Sequence, residues 1–84
     1  MERYHPSTRL EQPTLYRVTI LGTLDKHWAD YYGGMTIEHV KDPKRGATSI
    51  LTGCLADQAA LMGVLNSLYD LGCPILSVEY RETE

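Results

Sequence analysis

The chain has 84 residues and a net charge of −3, with eight Lys and Arg against eleven Asp and Glu. This length allows one domain that buries about 60–65 % of its unfolded surface, so its stability is small and association with a partner would add to it. Because affinity for nucleic acid comes largely from phosphate neutralisation, the interspersed and net acidic charge argues against a nucleic-acid-binding protein.

The first residues contain no apolar segment of the kind that signal peptides carry, and no run approaches the ~18 apolar residues of a membrane span. A cytoplasmic protein is therefore expected. Cys54 and Cys73 lie on either side of a predicted helix that would be about 21 Å long, so two free thiols are predicted rather than a disulfide. The three histidines lack metal-site spacing, and no metal or other cofactor is expected.

The N-terminal part of the chain predicts an arm followed by a strand. Residues 1–13 combine prolines, Ser, Thr and charges without periodicity, which predicts a flexible N-terminal arm. Residues 15–21 then alternate, with Tyr16, Val18 and Ile20 on one side. This alternation predicts a half-buried strand.

Residues 24–32 predict either a helix of two turns at most or an irregular loop. Asp25 can cap such a helix, and Gly33 and Gly34 would end it. Three apolar side chains four residues apart would form a short ridge against the sheet. They are Leu24, Trp28 and Tyr32.

A hairpin is predicted next. Residues 35–40 alternate as a strand, with Met35, Ile37 and His39 on the inward side. Residues 41–46 form a turn by composition and lead into a third strand at residues 48–52.

The central helix is predicted from local signals. Asp57 is a good N-cap for a helix that begins at Gln58. Large apolar side chains then recur every three or four residues, so one face of the helix must lie on a core. Gly72 is placed to close the helix in a Schellman ending, which would bring Cys73 against Leu68. The apolar positions are Leu61, Val64, Leu65, Leu68 and Leu71.

A last strand at residues 75–80 completes the order β, short helix, β, β, long helix, β. This order predicts a ferredoxin-like α+β sandwich, in which a four-stranded antiparallel sheet carries a short first helix and a long second helix on one face. A right-handed crossover gives a predicted sheet order of 4-1-3-2. The predicted domain covers residues 14–81, and residues 82–84 form a charged tail.

Two segments of the chain resemble a group of small uncharacterised bacterial proteins of about this length. One is L-T-G-x-x-x-D-Q-A-A-L-x-G-x-L-x-x-L-x-D-L-G-x-P-I-L-S-V over residues 51–78, and the other is G-x-L-D-x-x-W-x-D-Y-x-G-G-x-T-I over residues 22–37. The group has no established activity, so the resemblance implies membership and no function.

A first candidate site lies in the segment between the first two strands. A histidine near carboxylates can act as a base, and exposed aromatic side chains often mark binding surfaces. These residue types predict a ligand pocket lined by His27, Trp28 and Tyr31. The alternative is an amphipathic turn with Trp28 as its anchor and His27 in solvent. No nucleophile, base and oxyanion donor can be grouped, so no catalytic residue is assigned.

A second candidate site is an interface. Glycine inside a helix costs up to about 1 kcal/mol relative to alanine, and Gly63 lies off the apolar stripe, near Ala59 and Asn66. A partner chain that approaches the backbone closely would explain the glycine.

The outer face of the sheet is another surface that a partner could use. It is predicted to be largely polar, through Arg17, Thr19, Thr36, Glu38, Ser49, Ser77 and Glu79. Leu21, Val40 and Leu51 would be isolated apolar positions on it.

Two functions from different classes are compatible with these patterns. The first is a non-enzymatic cytoplasmic interaction or regulatory module, homodimeric or partner-binding, that uses the Gly63 side of the helix or the outer face of the sheet. The second is a small ligand-binding protein or enzyme with a pocket at His27.

Overall fold

The computed structural model describes residues 1–5, 7–32 and 35–82. The elements in chain order are β1 (Glu2–Arg3), β2 (Thr14–Leu21), a 3-10 helix (Lys26–Tyr32), β3 (Thr36–Asp42), β4 (Gly46–Leu55), α1 (Gln58–Asp70) and β5 (Ile75–Glu82). The strands form one antiparallel sheet in the order β1-β5-β2-β4-β3. We call the face that α1 covers the inner face of the sheet and the opposite one the outer face.

The predicted ferredoxin-like sandwich, with four strands and two helices, is wrong. The described part of the chain forms five strands and one α-helix. Glu2–Arg3 adds a strand beside β5, and the predicted first helix winds as a 3-10 helix, which is a tighter form used for short segments. The order of the four predicted strands relative to one another is confirmed, since β5, β2, β4 and β3 lie side by side.

β2 lies at the centre of the sheet because it pairs with two strands. Arg17, for example, lies opposite Thr52 of β4 and Glu79 of β5. β4 and β5 therefore run parallel to each other on either side of β2, and α1 connects them. The inward residues of β2 are fully buried, as the alternation predicts; they are Tyr16, Val18 and Ile20.

The predicted orientation of the third strand is wrong. Ser49 and Leu51 are predicted on the outer face, but both are fully buried on the inner face. The pairing decides this, because Ser49 lies opposite Ile20 and Leu51 opposite Val18, and residues opposite each other share a face. Ile50 takes the outer position. Two adjacent apolar residues cannot show which of them faces inward.

α1 begins and ends as predicted. The Asp57 carboxylate accepts a hydrogen bond from the Ala60 N–H at 2.9 Å. Gly72 has a φ of 77°, and the Cys73 N–H donates to the Leu68 carbonyl at 3.0 Å, which is the bond of a Schellman ending. Cys73 packs against the buried core, as predicted.

The core lies between the inner face and α1, and the arm contributes to it. Leu10, within the predicted arm, is only 5 % exposed. The division into arm, domain and tail stays a prediction. The buried cluster consists of Leu10, Tyr16, Val18, Ile20, Leu24, Met35, Leu51, Leu55, Leu61, Val64 and Leu68.

Candidate functional site

The segment between β2 and β3 is fixed at Leu24 by two polar side chains from other strands. The Ser49 hydroxyl accepts a hydrogen bond from the Leu24 N–H at 2.9 Å and donates to the Gly22 carbonyl at 2.8 Å. His39 Nε2 lies 2.7 Å from the Leu24 carbonyl. Since a carbonyl only accepts, this Nε2 carries a proton. Both backbone groups of Leu24 are thus satisfied, as buried polar groups must be.

His27, the first residue of the predicted pocket, lies in solvent. Its side chain is 90 % exposed, and its Nδ1 is 3.1 Å from Asp25 Oδ1. The same oxygen accepts from the His27 backbone N–H at 2.9 Å. This backbone hydrogen bond is the main cause of the lowered pKa of the Asp25 carboxyl, and the imidazole charge adds to it. The pair begins the 3-10 helix, and so exposed an ion pair contributes little stability.

Trp28, in contrast, is half-buried and packs against the core. The side chains of Tyr31 and Tyr32 lie outside the described part of the chain, as do Gly33 and Gly34, the predicted end of the helix. The structure therefore brings Trp28 to the core and leaves His27 in solvent. The ligand pocket of His27, Trp28 and Tyr31 stays a prediction.

The predicted interface residues lie on the side of α1 that faces solvent. Ala59, Gly63 and Asn66 are all exposed there. A Cβ built at Gly63 has no atom within 4 Å beyond the neighbouring turns of its own helix, so packing within the chain does not explain this glycine. Met62 and Tyr69 lie beside these residues and are 36 % and 77 % exposed. We call these five residues the outward face of α1.

The outer face of the sheet is more polar than the outward face of α1. At its centre, Arg17 Nε and Nη2 each lie 3.0 Å from Glu79 Oε1, across the pairing of β2 with β5. Leu21, Val40 and Ile50 are half-buried apolar residues on this face. Charged, uncharged polar and apolar residues mix on this face, as the outward pairs of Arg17 with Thr52 and Thr19 with Ile50 show, and an antiparallel sheet tolerates water on such a face.

Tyr4 and Thr8, within the predicted arm, lie beside the start of α1. Arg3 lies opposite Glu79, and the Tyr4 N–H donates to the Val78 carbonyl at 2.8 Å. The Gln58 side-chain amide donates to the Tyr4 hydroxyl, and it also donates to a backbone carbonyl of the arm at 2.7 Å. These contacts could not be predicted from the sequence, because a two-residue strand and a single tyrosine give no periodic signal.

Tyr16 carries a buried hydroxyl that has no partner in the described part of the chain. The Tyr4 and Tyr16 rings meet edge to face, with centroids 6.5 Å apart. Within the described residues, the buried Tyr16 hydroxyl has no hydrogen-bond partner. Burial raises the pKa of this phenol, and the nearby Thr14 hydroxyl, which donates to the Gln12 carbonyl, only partly opposes the rise. An unpaired buried hydroxyl costs about 1–3 kcal/mol.

Three open clefts lie elsewhere, and none contains His27 or Trp28. Their volumes are about 510, 540 and 280 Å³. The first two border the arm and share Glu82, and the third lies beside His39. Across residues 1–5, 7–32 and 35–82, no three His, Cys, Asp or Glu side chains are grouped so that they could hold a metal ion. No helix in those ranges is long and apolar enough to cross a membrane.

Comparison with known proteins gives one match. The model of a family described as a domain of unknown function (DUF8691) matches residues 15–79. No curated protein and no solved structure matches the chain. Both segments that resemble small bacterial proteins, residues 22–37 and 51–78, fall within the matched range.

Proposed function

The chain belongs to the DUF8691 family of domains of unknown function, and from its surfaces we propose that it is a small, non-enzymatic interaction module. It pairs with a second copy through the outward face of α1. The two segments at residues 22–37 and 51–78 serve as sequence marks of the family. We place the protein in the cytoplasm, where thiols such as the exposed Cys54 stay reduced.

Gly63 carries this proposal. It lies in the interior of a 13-residue helix, where glycine costs about 1 kcal/mol relative to alanine. Nothing within the described chain comes near the space that a side chain would fill. A helix from a second copy that crosses here would approach the backbone closely, and this approach supplies a reason for the glycine.

The neighbours of Gly63 provide contact area for the same interface. Tyr69 is 77 % exposed and Met62 is 36 % exposed. A rigid aromatic ring contributes much area for little lost entropy, and methionine adapts its shape to a partner. On the described strands, the most exposed large apolar side chain is Ile75 at 37 %, well below Tyr69, and therefore we favour the helix.

The size of α1 limits the strength of this dimer. A helix of 13 residues is roughly 20 Å long, so two crossed helices bury less than the ~800 Å² per partner of a standard interface. We therefore expect an affinity in the micromolar range. The module would associate reversibly as its concentration changes.

Sedimentation velocity from about 1 µM to about 1 mM tests the proposal, since this range brackets a micromolar Kd. The protein should change from monomer to dimer over it. Gly63→Leu should remain a monomer throughout and keep its fold, because the added side chain meets open space. Ala47→Leu is the matched control, since Ala47 is exposed on β4 and the change places the same leucine side chain on the surface away from α1.

Two results would contradict the proposal. One is a monomeric protein at every concentration. The other is a Gly63→Leu variant that dimerises as the unchanged protein does. If Ile50→Lys then separates that dimer, the outer face of the sheet is the interface instead.

A ligand-binding protein is the second candidate function, and the pairing of Asp25 with His27 favours it. A carboxylate that contacts Nδ1 orients an imidazole, which is a common arrangement in sites that exchange protons. Titration with metabolites while Trp28 fluorescence is recorded tests this candidate. A saturable shift that is lost in His27→Ala would support it.

A further inference from the structure

We propose that the groove beside β5 receives the arm of a second copy of this chain, so that two molecules exchange their N-terminal arms. The arm groove consists of the edge of β5 that faces away from β2, at Val78 and Glu79, together with the Tyr16 ring and the Gln58 amide. In the structure the chain's own arm lies in it. This surface is separate from the outward face of α1.

The arm groove recognises an extended segment in three ways. The edge of β5 pairs with the backbone, and the Val78 carbonyl accepts from the Tyr4 N–H. The Tyr16 ring packs against the ring of Tyr4. The Gln58 amide donates to the Tyr4 hydroxyl and to the Thr8 carbonyl. Addition of a strand to a sheet edge, combined with a side-chain pocket, is an established mode of peptide recognition.

We choose a second copy as the occupant because it carries the same arm sequence that already fits the groove. The arm in the groove already satisfies each of these contacts, and a second chain presents the same residues. Charge agrees as well, because Arg3 lies opposite Glu79. The hydrogen bonds between Thr8 and His5 close a turn within the arm, and this turn moves with the arm when it leaves.

The connection to β2 allows the arm to leave. Residues 11–13 join the arm to β2 and are exposed. The strand that must separate is only two residues long, and such a short pairing opens at low free energy. Leu10 leaves the core with the arm, and the second copy that receives the arm buries the same side chain again. Opening also uncovers Tyr16, whose hydroxyl has no partner within the described residues and gains water.

The residues of the groove fall within the range that the family model matches, and the arm does not. Tyr16, Gln58 and the Val78–Glu79 edge lie within residues 15–79, whereas the arm precedes them. The chain's own arm has an effective concentration of about 1 mM, as a short tether provides. Exchange should therefore grow as the protein concentration approaches that value.

Disulfide trapping in the full chain tests the exchange. Because Tyr4 and Val78 are hydrogen-bonded, Arg3 and Glu79 form the adjacent non-bonded pair, whose Cα atoms lie about 4.5 Å apart. That spacing suits a disulfide. Arg3→Cys and Glu79→Cys are placed in separate chains that also carry Cys54→Ser and Cys73→Ala. The two chains are mixed under mild oxidation.

We expect a covalent heterodimer whose rate of formation rises with concentration. The background rate is measured with Lys44→Cys mixed with Glu79→Cys. The thiol at position 44 lies on an exposed turn outside the groove and meets its partner only by collision, so the Arg3→Cys mixture should cross-link about ten times faster. Gly63→Leu should leave this rate unchanged, which distinguishes arm exchange from pairing through α1.

A chain with both Arg3→Cys and Glu79→Cys should form the disulfide within itself, and this reports that the arm is seated. If it forms no internal disulfide, the arm does not occupy the groove and the proposal fails. If the internal disulfide forms but the mixed chains cross-link no faster than the Lys44→Cys control, the arm stays with its own chain and exchange is excluded.

Discussion

The connection from β4 to β5 and the connection from β2 to β3 both lie on the inner face of the sheet, but different interactions hold them there. The first is α1, which buries Leu61, Val64 and Leu68 completely and has its own caps at each end. The second is the connection that contains the 3-10 helix, which we call the 3-10 segment. Ser49 and His39 hold it by hydrogen bonds to the backbone of Leu24, just before that helix.

This difference predicts where each connection is sensitive. The stabilisation of α1 comes from the burial of several apolar side chains, so the loss of one hydrogen bond removes only a small part of that stabilisation. The 3-10 segment depends on single hydrogen bonds from other strands, and the loss of one leaves buried backbone groups without partners. Four substitutions separate the two cases.

Ser49→Ala should have the largest effect. It leaves the Leu24 N–H and the Gly22 carbonyl without their partner, and we expect the free energy of unfolding to fall by about 3 kcal/mol. Denaturant unfolding measures the loss, and Trp28 emission should shift because its segment is released. Ser77→Ala, in a half-buried position on β5, should change stability by less than about 0.5 kcal/mol. Equal losses in the two variants would contradict the assigned role of Ser49.

Trp28→Ala should reduce the free energy of unfolding by about 2 kcal/mol, less than the loss for a fully buried tryptophan, because Trp28 is half-buried. Thermal unfolding followed by circular dichroism measures it. His27→Ala is the control and should be nearly neutral, since that side chain is 90 % exposed. If Trp28→Ala leaves stability unchanged, the fold does not depend on Trp28 and the second candidate function gains support.

Asp57→Ala should cost about 1 kcal/mol through the loss of the N-cap of α1. Because α1 keeps its buried face, Trp28 emission of the folded protein should stay unchanged, in contrast to Ser49→Ala. Asp70→Ala is the control, since it removes an exposed carboxylate from the last residue of the same helix without removing a cap. A shift in Trp28 emission in Asp57→Ala would show that the two connections are coupled.

Tyr16→Phe should have an effect no larger than that of Asp57→Ala and of the opposite sign. It removes a buried hydroxyl that has no partner among the described residues, so we expect a gain of about 1 kcal/mol. Leu24 would gain nothing from a comparable change, because its polar groups are paired. Denaturant unfolding at neutral pH measures the gain, and a loss of stability would reveal a partner for the hydroxyl.

The same variant has a pH signature. Burial raises the pKa of the Tyr16 phenol in the folded state, so the folded protein holds this proton more tightly than the unfolded chain does. The associated stability is fully present below the unfolded pKa of about 10 and is lost as the pH rises through the folded pKa. Tyr16→Phe should therefore lose less stability than the unchanged protein between neutral pH and about pH 11.

The sequence predicted those parts of the fold that local signals determine. Asp57 and Gly72 are a cap and a terminator whose effects reach only a few residues, and both act as predicted. The face of β4 could not be predicted, because Ile50 and Leu51 are both apolar and the pairing with β2 chooses between them. β1 could not be predicted either, since two residues carry no pattern.

The candidate sites divide in the same way. Gly63 could be singled out from the sequence because glycine has a low helix propensity, which is a local property. Its interface stays a proposal. Ser49 and His39 determine the path of the segment that carries His27, but their effect arises from contacts 25 and 15 positions away in sequence. No pattern within a strand shows such contacts.

The central position of β2 has a consequence for the order of folding. The hairpin of β3 and β4 is local, whereas Arg17 of β2 meets Glu79 of β5 across 62 positions of the chain. Closure of so long a loop costs entropy before any contact compensates for it, and sheets with such distant pairings fold in roughly milliseconds to seconds. We therefore expect the hairpin to form first, and β2 to gain its second neighbour in the last step.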